Sequence, residues 1–385
     1  MFRRTFLSAL MGSAVALGFA GPVEAQQRVT INVMTAGDQN MVDYITEFLG
    51  PQFEKTNPNV RVRAVGTGPG EAGSQKIWER LDAQKKANVA AWDVDVGVVH
   101  QTMAGTMVNE GLLDRYRGNI QSGSLVTRDT AKNALGANVD GFVMPMFHSQ
   151  TAIAYNPALV ANPPKTFDEL ATWAKANPKK FGHNGIKGGM SGQAFVVGWI
   201  YANTPNAQQL MEGPYDASAK NAWTPALAKL KEFNQSAVIT PGNAGTLDML
   251  NRGEIAMGPV WVDMFYTWQA EGRLAPNMRL SVIGPGMPGQ PMYYIIPEKA
   301  ANKDAARQFV AFATSPAIQA EGIVKRFNWY PGIDAQHVQA HLDQQVWNKL
   351  FKDVSPQDLA SKGKPLPMAQ YFKEILEAYE RQVAN

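Results

Sequence analysis

His148, Ser149, Gln150 and Thr151 stand together inside an otherwise apolar stretch, residues 142–155 (FVMPMFHSQTAIAY). An imidazole, two hydroxyls and a carboxamide are neutral donors and acceptors, the chemistry of holding a polar molecule rather than of breaking one. A buried polar group costs roughly 1–3 kcal/mol unless it is partnered. Four in a row therefore call for a cleft open to water or for a polar ligand. An edge strand with one wet face would also accommodate them. A strand that leaves one core and enters another accounts for the apolar runs on both sides as well.

Further along the chain, Trp261 ends LNRGEIAMGPVW (250–261) and offers a flat apolar face for a sugar ring or an organic cation, though a core position would suit it equally. Asp263 would point the same way if that strand continued. GIKGGMSG (185–192) precedes a helix expected over 193–202, so Ser191 and the first amides either meet a polar ligand group or form an ordinary N-cap. Catalytic constellations are weak. GMSGQ (189–193) approaches GxSxG without the second glycine in register, and adjacent His148 and Ser149 point to opposite faces of a strand. No carboxylate pair stands out for glycoside cleavage, so an enzyme is not expected.

The elements that position these groups follow from periodicity. Residues 29–34, 60–65 and 94–99 read as strands, each followed by an amphipathic helix, an order that favours parallel strands with helical crossovers. Ligands of open α/β sheets gather at the carboxyl ends of the strands. Those ends fall at residues 37–40, with Asp38 and Gln39; at 66–74 (GTGPGEAGS), with Thr67 and Glu71; and at 99–102, with His100 and Gln101. GTGPGEAG has neither the spacing of a dinucleotide fingerprint nor the GK[ST] ending of a P-loop, so no cofactor is expected. Thr166 should cap the helix of PPKTFDELATWAK (163–175), with Glu169 completing a capping box. Residues 280–285 read as a return strand, GPGMPGQP (284–291) as a loop and 293–296 as a strand.

Length and charge narrow the classes further. The 385 residues suffice for two domains, and 36 Lys and Arg against 33 Asp and Glu give +3, with no basic-aromatic patch to suggest nucleic acid. Residues 1–25 have the three parts of an export signal: Arg3 and Arg4, an apolar run over 6–20, and Val23-Glu24-Ala25 before Gln26. RRTFL is similar to the twin-arginine pattern, and an ordinary secretory leader is the alternative. No later stretch reaches about 18 consecutive apolar residues, so release as a periplasmic protein is expected. The absence of cysteine excludes disulfides, thiolate metal sites and an N-terminal lipid anchor. His337 and His341 lie four apart without an HExxH pattern, and no metal site is expected.

In order along the chain, FEKTNPNVRV (53–62), VNEGLLDRY (108–116), MPMFHSQTAIAYNPALV (144–160), PPKTFDELATWAK (163–175), LNRGEIAMGPVW (250–261) and AARQFVAFATSPAIQ (305–319) resemble successive signatures of the extracellular solute-binding proteins of ABC importers. The resemblance is to the group that includes the maltose-binding and spermidine/putrescine-binding proteins, and it covers nearly all of the chain after residue 25. It implies an α/β, periplasmic-binding-protein-like fold of type II, two lobes joined by crossing hinge strands. The lobes are expected at 26–147 with 285–316 and at 148–284 with 317–385, closing over a small ligand and then docking on an inner-membrane permease as a monomer. The resemblance places ligand-binding residues at Asp38, Gln39, His100, Gln101, His148, Ser149 and Gln150, with Tyr293 and Trp329 as aromatic neighbours. Maltose-binding proteins tend to carry an acidic residue at the position of Ser149 and GPW where this chain has GPVW, which argues against a maltodextrin. A sugar or polyol is favoured. A polyamine or other organic cation is the alternative, because Asp38, Glu71 and Asp263 could neutralise it, and no Arg falls within these loops to favour an anion.

Overall fold

The computed structural model describes residues 28–37, 39–68 and 70–384; the export signal, Asp38 and Pro69 lie outside the described residues. Alternating apolar residues form strand β1 (Val29–Ala36), which pairs in parallel with β2 (Val60–Gly68) and β3 (Val96–His100), as the β-helix-β order demands. β4 (Val143–Tyr155) is the long strand that carries His148 to Thr151. Past it, β5 (Phe181–His183), β6 (Ala237–Ile239), β7 (Met257–Trp261) and β8 (Met287–Ile295) complete a sheet ordered β2-β1-β3-β8-β4-β7-β5-β6.

The register of β4 explains its polar centre. Val143 to Gln150 pair antiparallel with β8, whereas Thr151 to Tyr155 pair antiparallel with β7. The strand changes partners between Gln150 and Thr151, so the polar residues sit where the two halves of the molecule meet. Buried apolar side chains form two clusters. One gathers around Ile31, Val33, Val96, Phe53 and Phe309; the other around Phe167, Phe181, Phe195, Trp199 and Phe233. Ala152 and Ala154 contribute to the first and Ile153 to the second, as the two faces of a strand require. The result is two α/β lobes joined by crossing strands. Leu247, Leu250, Phe265, Trp268 and Leu280 join the first cluster although they lie within 148–284.

Three local expectations are corrected. GPGMPGQP is not a loop: β8 already begins at Met287. Gly289 is required there, because a Cβ at that position would lie 2.4 Å from His148 Nε2. β7 ends at Trp261, and Asp263 lies in the first turn of the helix Val262–Ala270 rather than on a continuing strand. Thr166 caps its helix by accepting from the Glu169 amide at 3.2 Å, but Glu169 reaches back to the Lys165 amide, so the box is offset by one residue.

Burial also sets an acid response. His148 is driven down to about 3 by burial, with the nearby Arg128 charge adding to it, and burial alone lowers His100 to about 4. Burial likewise takes His183 down to about 4, against a hydrogen bond that its Nε2 donates to Asn234 Oδ1. Groups whose folded pKa lies below the unfolded value of about 6.5 take up protons on unfolding, so their contribution is whole above that pH and is lost as pH falls toward the folded values. Unfolding free energy should therefore drop by more than about 1 kcal/mol between about pH 7 and pH 4.5. Denaturant titrations at the two pH values check this, and equal stabilities would contradict it.

Candidate functional site

Side chains alternate along β4, and this alternation divides the polar group between two faces. Phe147 and Ser149 share one face; His148 and Gln150 share the other. On the first face the Ser149 hydroxyl donates to Asp263 Oδ1. Gln290 lies opposite Ser149 on β8, and its Nε2 is 2.8 Å from Nδ1 of His100 at the end of β3. Trp261 pairs with Thr151 at the end of β7 and is half-buried. The strand ends of both lobes thus bring Trp261, Asp263, Ser149, Gln290 and His100 to one side of the crossing.

Asp263 is the charged member of this group. Burial raises its pKa, and hydrogen bonds from the Ser149 hydroxyl and the Trp329 indole pull it back toward the ionised form. A carboxylate whose donors come from neutral side chains keeps lone pairs for a hydroxyl or an ammonium. His100, with its pKa lowered to about 4, is neutral at ordinary pH and adds no charge.

Trp329 does not present a stacking face. Its ring lies 3.9 Å from Phe147 and 4.3 Å from Phe327, both nearly parallel to it. Two rings stacked so close to one centroid cannot share a side, so both faces of the indole are covered and only its edge is offered. Tyr293 is not a ligand neighbour in this arrangement either: it is fully buried and its hydroxyl donates to the Thr130 carbonyl.

Several other candidates are committed to the framework. Thr67 Oγ1 donates to the carbonyls of Thr35 and Gly73 at 3.1 and 2.9 Å, tying β2 to β1 and to the next helix. Gln101 is buried with Nε2 3.4 Å from the Gly289 carbonyl. Gln150 donates to the carbonyls of Thr151 and Met287, both at 3.0 Å. Ser191 neither caps its helix, which Gly189 precedes, nor faces solvent; its hydroxyl lies 2.7 Å from Asn243 Oδ1 and 3.1 Å from Asn184 Oδ1. Gln39 is exposed and bonded to Asp43 at 2.8 Å, and Glu71 is exposed in the first turn of the helix Gly70–Lys86. Both stand at strand ends of the first lobe without a bond to the Asp263 group.

Two residues escaped sequence reasoning. Gln290 was hidden in the segment taken for a loop. Arg128, in an irregular connection with no periodicity to mark it, lies near His148 on the opposite face of β4 and donates to the carbonyls of Pro331 and Ile333 at 2.8 and 2.7 Å. Arg128 lies outside the strand-end loops, which hold no arginine, and reaches the crossing from this irregular connection instead. Among the described residues no group of three His, Asp or Glu is placed to hold a metal ion, and no helix is long and apolar enough to cross a membrane.

Comparison with known proteins follows the same lines. The chain superposes on a proposed extracellular solute-binding protein from Bordetella parapertussis with a TM-score of 0.71 at 14% identity, covering 92% of this chain and 98% of that one. It is similar to a spermidine/putrescine ABC transporter substrate-binding protein from Streptococcus pneumoniae (TM-score 0.64, 15% identity, 92% and 98% covered). It is equally similar in sequence to a cyclic α-maltosyl-1,6-maltose binding protein from Arthrobacter globiformis (TM-score 0.66, 15% identity, 92% and 94% covered). These likenesses show the fold. No curated protein sequence gives a match. The model of bacterial extracellular solute-binding proteins matches residues 38–320, most of the chain, and the chain therefore belongs to that family, one of binding proteins rather than enzymes.

Proposed function

We propose that this protein is the periplasmic receptor of an ABC importer, a monomer that captures one small polar organic solute between its lobes and delivers it to an inner-membrane permease. A sugar or polyol is the favoured solute. The observation that carries this reading is the group at the crossing: one carboxylate, Asp263, among the neutral donors and acceptors of Ser149, Gln290 and His100, beside the half-buried face of Trp261. Hydroxyl networks over an aromatic face suit that set. The lobes are assigned to 26–147 with 285–316 and to 148–284 with 317–385.

A second reading, a polyamine or other organic cation, rests on Asp263 itself, since a carboxylate beside an indole face also receives an ammonium. Relatives of this fold include both kinds of receptor, so both enter the test. A thermal-shift screen with sugars, polyols and polyamines, followed by calorimetry of the hits, identifies the class. Asp263→Asn keeps hydrogen bonding and removes charge: less than about a tenfold loss fits a neutral solute, and a larger loss fits a cation. Turnover of any hit, in place of stoichiometric binding, would refute the receptor.

Trp261→Ala should weaken capture by more than about 1 kcal/mol through loss of its aromatic face, with the thermal midpoint of the unliganded protein nearly unchanged. Calorimetry and thermal unfolding together check it; unchanged affinity or a collapsed fold would instead assign Trp261 to the core.

A further inference from the structure

Asn133–Ala134 and Ala137–Asn138 pair as a small hairpin whose two turn residues, Leu135 and Gly136, both have positive φ, 50° and 84°. Asparagine and glycine adopt that conformation readily, whereas a leucine does so at a cost. An outlier of this kind persists because its surroundings hold it. Leu135 is only 9% exposed, and the lobe that buries it is not its own: it belongs to the second apolar cluster, whose other described members all lie at or after Ile153. The base of the hairpin stays with the first lobe. Ala131, Ala134 and Val139 belong to the first cluster. Gly105, on the helix Gln101–Asn109 that follows His100, comes so close that a Cβ there would lie 2.6 Å from Ala137 Cβ.

Hydrogen bonds tie the hairpin to the second lobe as well. The Leu135 carbonyl accepts from the Ala369 amide at 3.0 Å, at the first residue of the helix Ala369–Gln382. Asn133 Nδ2 lies 3.4 Å from the Met211 carbonyl. Asn133 and Met211 line one cavity together with His148, which places the hairpin on the His148 face of β4, opposite the Asp263 group.

We propose that the hairpin tip is a latch that opposes closure of the lobes, with Leu135 as a positioning residue that sets solute affinity without touching solute. The inference rests on the reading of this chain as a receptor whose lobes close over their solute. Lobes that turn about β4 to narrow the gap at Asp263 widen the gap on the His148 face. A tip rooted in one lobe and seated in the other is then drawn from its seat. The burial of Leu135 and the bond to its carbonyl are lost in closing, so both favour the open arrangement. Part of the interaction with solute goes into breaking them.

Two variants cut the latch and spare the elements around it. Leu135→Asn gives the turn the favoured Asn-Gly pair, so the hairpin stays formed while its apolar anchor goes. Ala369→Pro removes the amide that bonds the Leu135 carbonyl; proline suits the first position of a helix, and Met368 before it is extended, at φ -49° and ψ 142°, as proline requires. Either variant keeps the test open if the other fails to fold. The chain has no cysteine, so Glu71→Cys and Lys187→Cys, exposed beyond the ends of β2 and β5, take one spin label on each lobe. Pulsed electron resonance without solute should show a shorter interlobe distance at least about fivefold more populated in each variant than in the otherwise unsubstituted protein. Unchanged or longer distances in the folded variants would overturn the latch. Sugars, polyols and polyamines of the thermal-shift screen are then added. Any that shortens the distance in the unsubstituted protein should bind each variant at least about fivefold more tightly; equal or weaker binding would overturn the latch, because mere damage to the fold gives no gain. If none of them shortens it while the variants still do so without solute, the latch stands and the receptor reading falls.

Discussion

Replacing Asp263 with alanine should weaken solute capture roughly 10- to 100-fold, the loss expected when a hydrogen bond to a charged group is removed, without weakening the fold. The two halves of that expectation have separate causes. On the binding side, Asp263 is held by the Ser149 hydroxyl and the Trp329 indole, two neutral donors, at the start of the helix that follows Trp261. On the stability side, burial raises its pKa. A carboxyl whose folded pKa exceeds its unfolded value contributes stability that is full below the unfolded value and is lost as pH rises through the folded one. Above the unfolded value the raised pKa is a cost to folding, so Asp263→Ala should leave the thermal midpoint of the unliganded protein at neutral pH unchanged or higher. Calorimetry and thermal unfolding of the same preparation check both halves. Full affinity, or a clear loss of stability, would remove Asp263 from the site.

The largest loss of stability should come from Gln319→Leu, at about 3–5 kcal/mol. Gln319 is fully buried, its Nε2 donates to the carbonyls of Met146 and Ala313 at 3.1 and 3.0 Å, and its Oε1 accepts from the Gly332 amide at 2.7 Å. One side chain thus joins β4 to the end of the helix Lys303–Ala313 and to the segment after Trp329. Leucine fills similar space and leaves three buried backbone groups unpaired. Because Gly332 follows the two-residue strand Tyr330–Pro331 that pairs with His148 and Phe147, the loss should also loosen the Phe147–Trp329 stack. Denaturant titration gives the free energy, and near-UV circular dichroism reports the tryptophan. A change of less than about 1 kcal/mol would show that water replaces these bonds at little cost.

Much of the architecture was legible because strands and helices write their burial into the sequence. Residues 29–34 and 60–65 alternate, the helices after them repeat every three to four residues, and the polar interruption at 148–151 marks where β4 changes partners. Legibility ended where a rule of thumb met a tertiary need. Glycine and proline usually punctuate, yet β8 runs through Gly289 and Pro291 because β4 comes too close at His148 for any side chain. Missing β8 concealed Gln290, which that strand sets opposite Ser149.

The site was less legible than the fold, since residue type does not state direction. Alternation alone separates Ser149 from His148 and Gln150, but which face opens toward Asp263 depends on a helix that begins more than a hundred residues later. Trp329 has the composition of a stacking platform and loses that role to Phe327, two residues before it, and to Phe147, far away in the chain. Thr67, Gln101 and Ser191 lie at the expected strand and helix ends, where backbone groups need partners as often as ligands do.

The most direct test is a crystal structure of the protein with the solute that the binding screen selects. The account expects one molecule enclosed between the lobes, chemically unchanged, hydrogen-bonded to Asp263 and lying against Trp261. Density for that solute away from both residues, or for a cleaved product in its place, would contradict it.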